Sequence, residues 1–187
     1  LILIKKYSMN EKLLVNFGFR FGKDSPHFAR TMMFTDLSLI MQFSAEQATY
    51  DFYQNAVVKN NILSKPSHKS RQLTWRHLSK LYSLSSQQVL FRIFRKFYLN
   101  ENAKYHPLLA FQLAFARDPV LRESHSFLAQ LKTDQIISRV DTENYLKELY
   151  PERFTSASLR SLAQNINGSW TQAGFLKGRV KKKRVRP

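Results

Sequence analysis

Two sets of side chains in this 187-residue chain are equipped for chemistry. The first is C-terminal: Lys177, Arg179, Lys181, Lys182, Lys183, Arg184 and Arg186 carry the ammonium and guanidinium donors that bind phosphate oxygens. Just before them, Ser158, Arg160, Ser161 and Gln164 offer small hydrogen-bonding groups with no negative charge, a surface able to meet base edges in a groove. The second set is central and begins with Lys65, Lys69, Arg76 and Lys80. At helical spacing these four fall within an arc of roughly 60°, a basic ridge. Arg92, Arg95 and Lys96 follow it.

These groups need elements to hold them. Thr155 or Ser156 caps a helix in which Leu159, Leu162, Ala163, Ile166, Trp170 and Ala173 form one apolar stripe. Arg160, Ser161, Gln164, Asn165, Ser169 and Thr171 lie off that stripe. Gly174 stops the helix, Phe175 and Leu176 begin an extended segment, and Gly178 permits a turn into the basic tip. Helix, glycine, short strand and basic tip occur in the order found at the end of a winged-helix DNA-binding domain, where a helix enters the major groove and a hairpin follows the backbone. A packed helix with a disordered basic tail, or a localisation signal at Lys181 to Arg184, accounts for the same residues more simply.

The charge distribution favours a polyanionic partner. The chain carries 30 Lys and Arg against 13 Asp and Glu, a net charge of +17. Between Phe52 and Asn100 there is no acid, and there is none after Glu152. These two segments account for the net positive charge, and segments that exclude one sign repel themselves unless a polyanion neutralises them. An anionic membrane surface is the other such partner, but it needs an apolar helix face free to enter lipid, and the apolar stripes here read as core. The chain has no cysteine, which excludes disulfides and thiolate chemistry. Leu1 to Ile4 is far short of the ~20 apolar residues that span a bilayer. A cytoplasmic location is the expectation.

Taken in order, residues 13 to 22 alternate in their second half and read as a short strand or an extended arm, the arm covering 1–24. Ser25-Pro26 starts a helix carrying Phe28, Met32, Met33, Leu37, Ile40 and Met41, interrupted near Thr35. Ser44-Ala-Glu-Gln47 matches a capping box and opens a helix with Ala48, Phe52, Val57 and Ile62 facing inward. The ridge helix follows to Tyr82, with Trp75 read as a packing residue. Ser85 or Ser86 begins the next, whose Leu90, Ile93, Phe94 and Phe97 form a core face opposite Arg92, Arg95 and Lys96. Another runs from His106-Pro107 to Arg117; Asp118-Pro119 ends it and caps its successor. Ile136, Ile137 and Val140 mark a short strand or turn, and Asp141 caps a helix ended by Pro151.

Catalysis finds little support. No HExxH, glycine-rich phosphate loop or GxSxG occurs. Asp134, Asp141, Glu143 and Lys147 have the side chains of a metal nuclease, but Glu143 and Lys147 are a helical i, i+4 pair, the ordinary setting of a stabilising ion pair. His27 and His125 have no evident partners, and His106 and Asp118 read as boundary residues. No metal and no cofactor are expected.

Several stretches resemble the BrxA family, small components of BREX bacteriophage-resistance systems. They are Phe28-Ala-Arg-Thr-Met-Met, Val57-Val-Lys-Asn-Asn-Ile-Leu, Lys65-Pro-Ser-His-Lys-Ser-Arg, Arg76-His-Leu, Ala116-Arg-Asp-Pro-Val-Leu-Arg, Thr155-Ser-Ala-Ser-Leu and Ser169-Trp-Thr-Gln-Ala-Gly-Phe-Leu-Lys-Gly. The resemblance covers about residues 26 to 180. It implies an α-helical, non-enzymatic DNA-binding accessory protein acting beside a methyltransferase and ATPases. Asn60-Asn61 stand where the family has acids, and the tail is more basic, which bears on partner contacts.

The combined expectation is a mainly α protein of two packed helical lobes, 25–117 and 118–187, the second resembling a winged helix-turn-helix with a short basic β-hairpin. It binds double-stranded DNA without catalysing a reaction, and takes no small-molecule substrate. An assembly scaffold docking acidic subunits, or an RNA-binding helical domain, are the alternatives; few exposed aromatics favour the latter.

Overall fold

Caps and prolines set most element boundaries in the computed structural model, which describes residues 11–43 and 48–187. The chain is mainly α. Its described residues form nine helices and one small three-stranded sheet.

The N-terminal segment differs from expectation. Glu11–Phe17 is a helix, α1, and no strand forms there. The Phe17, Phe19, Phe21 alternation begins where this helix ends, at Gly18 with φ +114°, and a lone alternating run has no partner strand to pair with. Arg117 Nη1 donates to the Gly18 carbonyl at 2.6 Å and Arg122 Nη2 to that of Arg20 at 2.9 Å, so side chains hold the segment instead.

Ser25 caps only a single 3-10 turn, Pro26–Phe28. The helix expected to continue through Met41 breaks over 29–33, earlier than Thr35, and restarts as α2, Phe34–Gln42. The break has a cause. Met32 N–H donates 2.7 Å to Ser169 Oγ, far along the chain, in place of a helical carbonyl. Residues 25–33 thus form a strap across the C-terminal part of the molecule.

Thr49 caps α3, Tyr50–Val58, with Tyr53, Ala56 and Val57 buried and Phe52 exposed, so its inner face is rotated from the expected one. The expected capping box at 44–47 lies outside the described residues. Ser67 and Ser70 cap α4, His68–Tyr82, reciprocally. Trp75 is buried there, edge-on to Tyr50 at 4.9 Å, as a packing residue. α5 spans Val89–Asn100, α6 His106–Arg117 and α7 Pro119–Gln130. Asp118 caps α7 by accepting from Val120 and Leu121 N–H at 3.0 and 3.1 Å.

β1, Ile136–Ile137, leads into α8, Arg139–Leu149. Its N-cap is Ser138, with Asp141 at the third helical position as the returning partner, rather than Asp141 itself. α9, Ser156–Gln172, is capped by Thr155 and followed by β2, Leu176–Lys177, and β3, Lys182–Arg184. The antiparallel sheet has the order β1-β3-β2. Every residue of the expected α9 stripe is buried. One apolar core runs from Met32 to Leu176, continuous past Asp118, so the two halves of the chain share an interior.

Candidate nucleic-acid interface

α9 is positioned from both sides. α8 packs along it, Thr142 Oγ1 donates to Asn167 Oδ1 at 2.9 Å inside the contact, and the strap crosses its C-terminal half. The strap covers part of the face expected to be free. Asn165 Nδ2 donates to the His27 carbonyl at 2.9 Å, Ser169 is fully buried, and Gly168 lies so close to Thr31 that a Cβ there would sit 2.8 Å from Thr31 Cγ2. Thr171 donates to the Asn167 carbonyl and receives Lys182 Nζ. Asn165, Ser169 and Thr171 therefore do structural work, while Ser158, Arg160, Ser161 and Gln164 remain exposed on the first turns.

The hairpin sorts its cations. Lys182 Nζ donates to Thr171 Oγ1 at 2.9 Å and to the Gly178 carbonyl at 3.1 Å, and partial burial lowers its pKa. Lys183 pairs with Asp134 Oδ1 at 2.7 Å. Arg184 lies over the Phe175 ring and donates to its carbonyl at 3.2 Å. Lys177, Arg179, Lys181 and Arg186 are exposed and have no ion-pair partner among the described residues. The three cations of the central strand β3 find partners on the segments around it, while Lys177 on the edge strand β2, Arg179 and Lys181 in the turn and Arg186 beyond β3 meet solvent. Gly178 makes that turn with φ +117°, and a Cβ there would lie 2.4 Å from the Lys181 carbonyl oxygen. Val180 is 81% exposed at the tip.

The basic ridge is divided in the same way. Lys65 precedes α4 and pairs with Asp36 at 2.8 Å; Lys80 pairs with Asp24 at 2.6 Å. The Lys80 hydrogen bond is the main cause of a lowered Asp24 pKa, against the opposing effect of partial burial. Lys69 and Arg76 stay exposed. His77, half-buried beside them, has its pKa lowered by burial first and then by Arg30, Lys80 and Arg76. Arg30 belongs to the strap, so the strap joins the ridge to α9. A cleft of ≈ 480 Å³ separates the three, with Arg30, Ser70 and Gln172 on its walls. Arg92 is anchored on the Ser86 and Gln87 carbonyls at 3.0 and 3.1 Å, and with Arg95 and Lys96 it borders a separate cleft on α5.

Some participants escaped the sequence reading. Arg153 lies 4.9 to 5.6 Å from the ring centroids of Tyr150, Phe154 and Phe28, beside the start of α9. Its place in the acid-free C-terminal segment was the available signal. The ion-pairing acids Asp24, Asp36 and Asp134 had none, because each is distant in sequence from its lysine.

His27, without an evident partner in sequence, is fully buried between Asp118 and Ser169. Nδ1 lies 2.7 Å from Asp118 Oδ2 and Nε2 lies 2.8 Å from Ser169 Oγ. Serine, histidine and carboxylate in this order are the components of an acyl-transfer triad. Here no substrate can reach them: all three side chains are fully buried, and Ser169 Oγ already accepts from Met32 N–H and donates to the Asn165 carbonyl at 3.0 Å. The constellation is a clamp. The suggested nuclease group is dispersed, with Asp134 on Lys183, Asp141 on Ser138 and Glu143 on Arg139.

No protein-family model matches the chain, and none of the curated proteins gives a significant match.

Proposed function

We propose that this chain is a double-stranded DNA-binding protein without catalytic activity, built on a winged helix-turn-helix. The observation that carries the reading is the pairing of an exposed, acid-free N-terminal half of α9 with a hairpin tip that presents unpaired cations. The element order α7, β1, α8, α9, β2, β3 with sheet order β1-β3-β2 supports the winged-helix reading. In such domains the first turns of the recognition helix meet base edges and the wing follows the phosphates. Ser158, Arg160, Ser161 and Gln164 take the groove; Lys177, Arg179, Lys181 and Arg186 take the backbone. Lys69 and Arg76 extend the positive surface beyond the strap.

The resemblance to the BrxA family gives this reading a setting, an accessory role in bacteriophage defence beside a methyltransferase and ATPases in the cytoplasm. The test is fluorescence anisotropy with a labelled duplex of about 30 base pairs at several salt concentrations. Contacts by six to eight cations give a log–log salt slope of about −5 to −7. A slope near zero removes the proposal.

A further inference from the structure

Ser158 and Ser161, on the first turns of α9, border a cleft of ≈ 400 Å³. The rest of its lining is Ala157 of the same helix, Phe154 just before it and Phe28 of the strap. At 100° per residue Ala157, Ser161 and Gln164 fall within an arc of roughly 60°. That arc is exposed and lies opposite the buried stripe of Leu159, Leu162, Ala163 and Ile166. Ala157 therefore stands in the middle of the face that the groove residues occupy.

The walls of the cleft are held in place before anything binds. Phe28 and Phe154 meet edge to face with ring centroids 5.3 Å apart, and the Arg153 guanidinium lies 5.6 and 5.0 Å from them. Arg153 is fixed in turn by donating from Nη2 to the Lys23 carbonyl at 2.6 Å, and Phe28 by its neighbour His27, locked between Asp118 and Ser169. Neither a carboxylate nor an ammonium lines the cleft. The faces of phenyl rings carry partial negative charge, so a phosphate is a poor occupant. What the cleft offers is a hydrocarbon wall beside two hydroxyls, that of Ser158 receiving Thr155 Oγ1 at 3.0 Å and that of Ser161 beside it. Thymine presents the matching pair in the major groove, an apolar C5 methyl next to the O4 acceptor, and no other unmodified base has that methyl.

We propose, on the reading of α9 as the groove-binding helix, that this cleft selects thymine: the C5 methyl lies against Ala157 and the rings of Phe28 and Phe154 while the Ser161 hydroxyl donates to O4. The hairpin cations hold the backbone of any sequence, and the cleft supplies a preference among bases. Phe28 and Phe154, which carry no polar atom, thereby become determinants of specificity.

The test uses the full chain and a labelled duplex of about 30 base pairs that the protein recovers from a randomised library, synthesised again with every thymine replaced by uracil. That exchange removes the methyl groups and nothing else. The uracil duplex should bind about fourfold more weakly, the value of burying one methyl, at an unchanged salt slope because no phosphate contact is altered. Ala157→Gln sets a longer polar side chain over the cleft at an exposed position and should bring the thymine-to-uracil ratio to about one, with helical circular dichroism unchanged. Equal affinity for the two duplexes at a salt slope of about −5 to −7 overturns the proposal and leaves DNA binding standing. A ratio that persists in the Ala157→Gln variant overturns it as well. So does a gain on a copy carrying 5-methylcytosine for cytosine without a loss on the uracil copy, which assigns the methyl to cytosine instead. A slope near zero on every duplex is the separate failure of the DNA reading itself, and the cleft's role falls with it.

Discussion

His27 Nδ1 lies 2.7 Å from Asp118 Oδ2, across 91 residues of chain, and both side chains are fully excluded from solvent. Ser25 Oγ donates to the same carboxylate at 2.7 and 2.8 Å, and two backbone N–H groups of α7 complete its shell. The far nitrogen of the ring reaches Ser169 on α9. One imidazole therefore fixes the strap to the α6–α7 junction and to the helix proposed to enter DNA.

Removing one member of such a buried pair leaves the other without a partner. Asp118→Asn should lower unfolding free energy by about 3 to 5 kcal/mol, measured by urea denaturation. A loss under about 1 kcal/mol would show that the clamp is not a major stabilising contact.

The same carboxylate sets an acid dependence. Burial alone would raise the Asp118 pKa, but the charge and hydrogen bond of His27, with the Leu121 N–H and Ser25, outweigh it and hold it below the ordinary 3.8. A depressed folded pKa means that the stabilisation is present above the unfolded value and is lost as pH falls through the folded one. Thermal unfolding of the unaltered protein should thus lose stability as pH falls below about 4, and the Asp118→Asn variant should show a shallower decline there.

Cations without partners should matter most to DNA. Arg179→Ala and Lys181→Ala are each expected to make the log–log salt slope shallower by about one and to leave stability unchanged. Lys183→Ala should change the slope less, because Asp134 already neutralises that ammonium. Equal effects at all three positions would refute the division of the hairpin into free and engaged cations.

On α9 the division is along the helix. Arg160→Ala or Gln164→Ala should cost about 1 to 3 kcal/mol with a specific duplex and leave the melting temperature within a degree or two. Ser169→Ala should instead destabilise the fold, since its hydroxyl serves Met32, His27 and Asn165. Calorimetry and anisotropy on the same variants separate the two effects.

The hairpin turn provides an independent check. Gly178→Ala places a Cβ against the Lys181 carbonyl at a positive φ, so the turn must deform. Weaker DNA binding is expected with helical circular dichroism unchanged; unaltered binding would place the hairpin outside the interface.

Local physics made much of this molecule legible from its sequence. Asp118-Pro119 could only stop one helix and cap the next, Gly174 had to end α9, and the α9 stripe had a single apolar phase, so its buried residues followed from spacing. α5 shows where spacing fails. Its expected stripe shares Phe94 with the buried face, and only packing against α6 and the rings of Tyr53 and Tyr82 turned that face to Phe91, Phe94 and Tyr98 and left Ile93 and Phe97 exposed. The break at 29–33 was equally hidden, because the partner that draws Met32 out of a helix is Ser169. Composition determined that the chain carries an excess of positive charge in two acid-free segments. Which of those charges stay free depended on Asp24, Asp36 and Asp134, acids brought to their lysines by the fold over distances in sequence that no local pattern encodes.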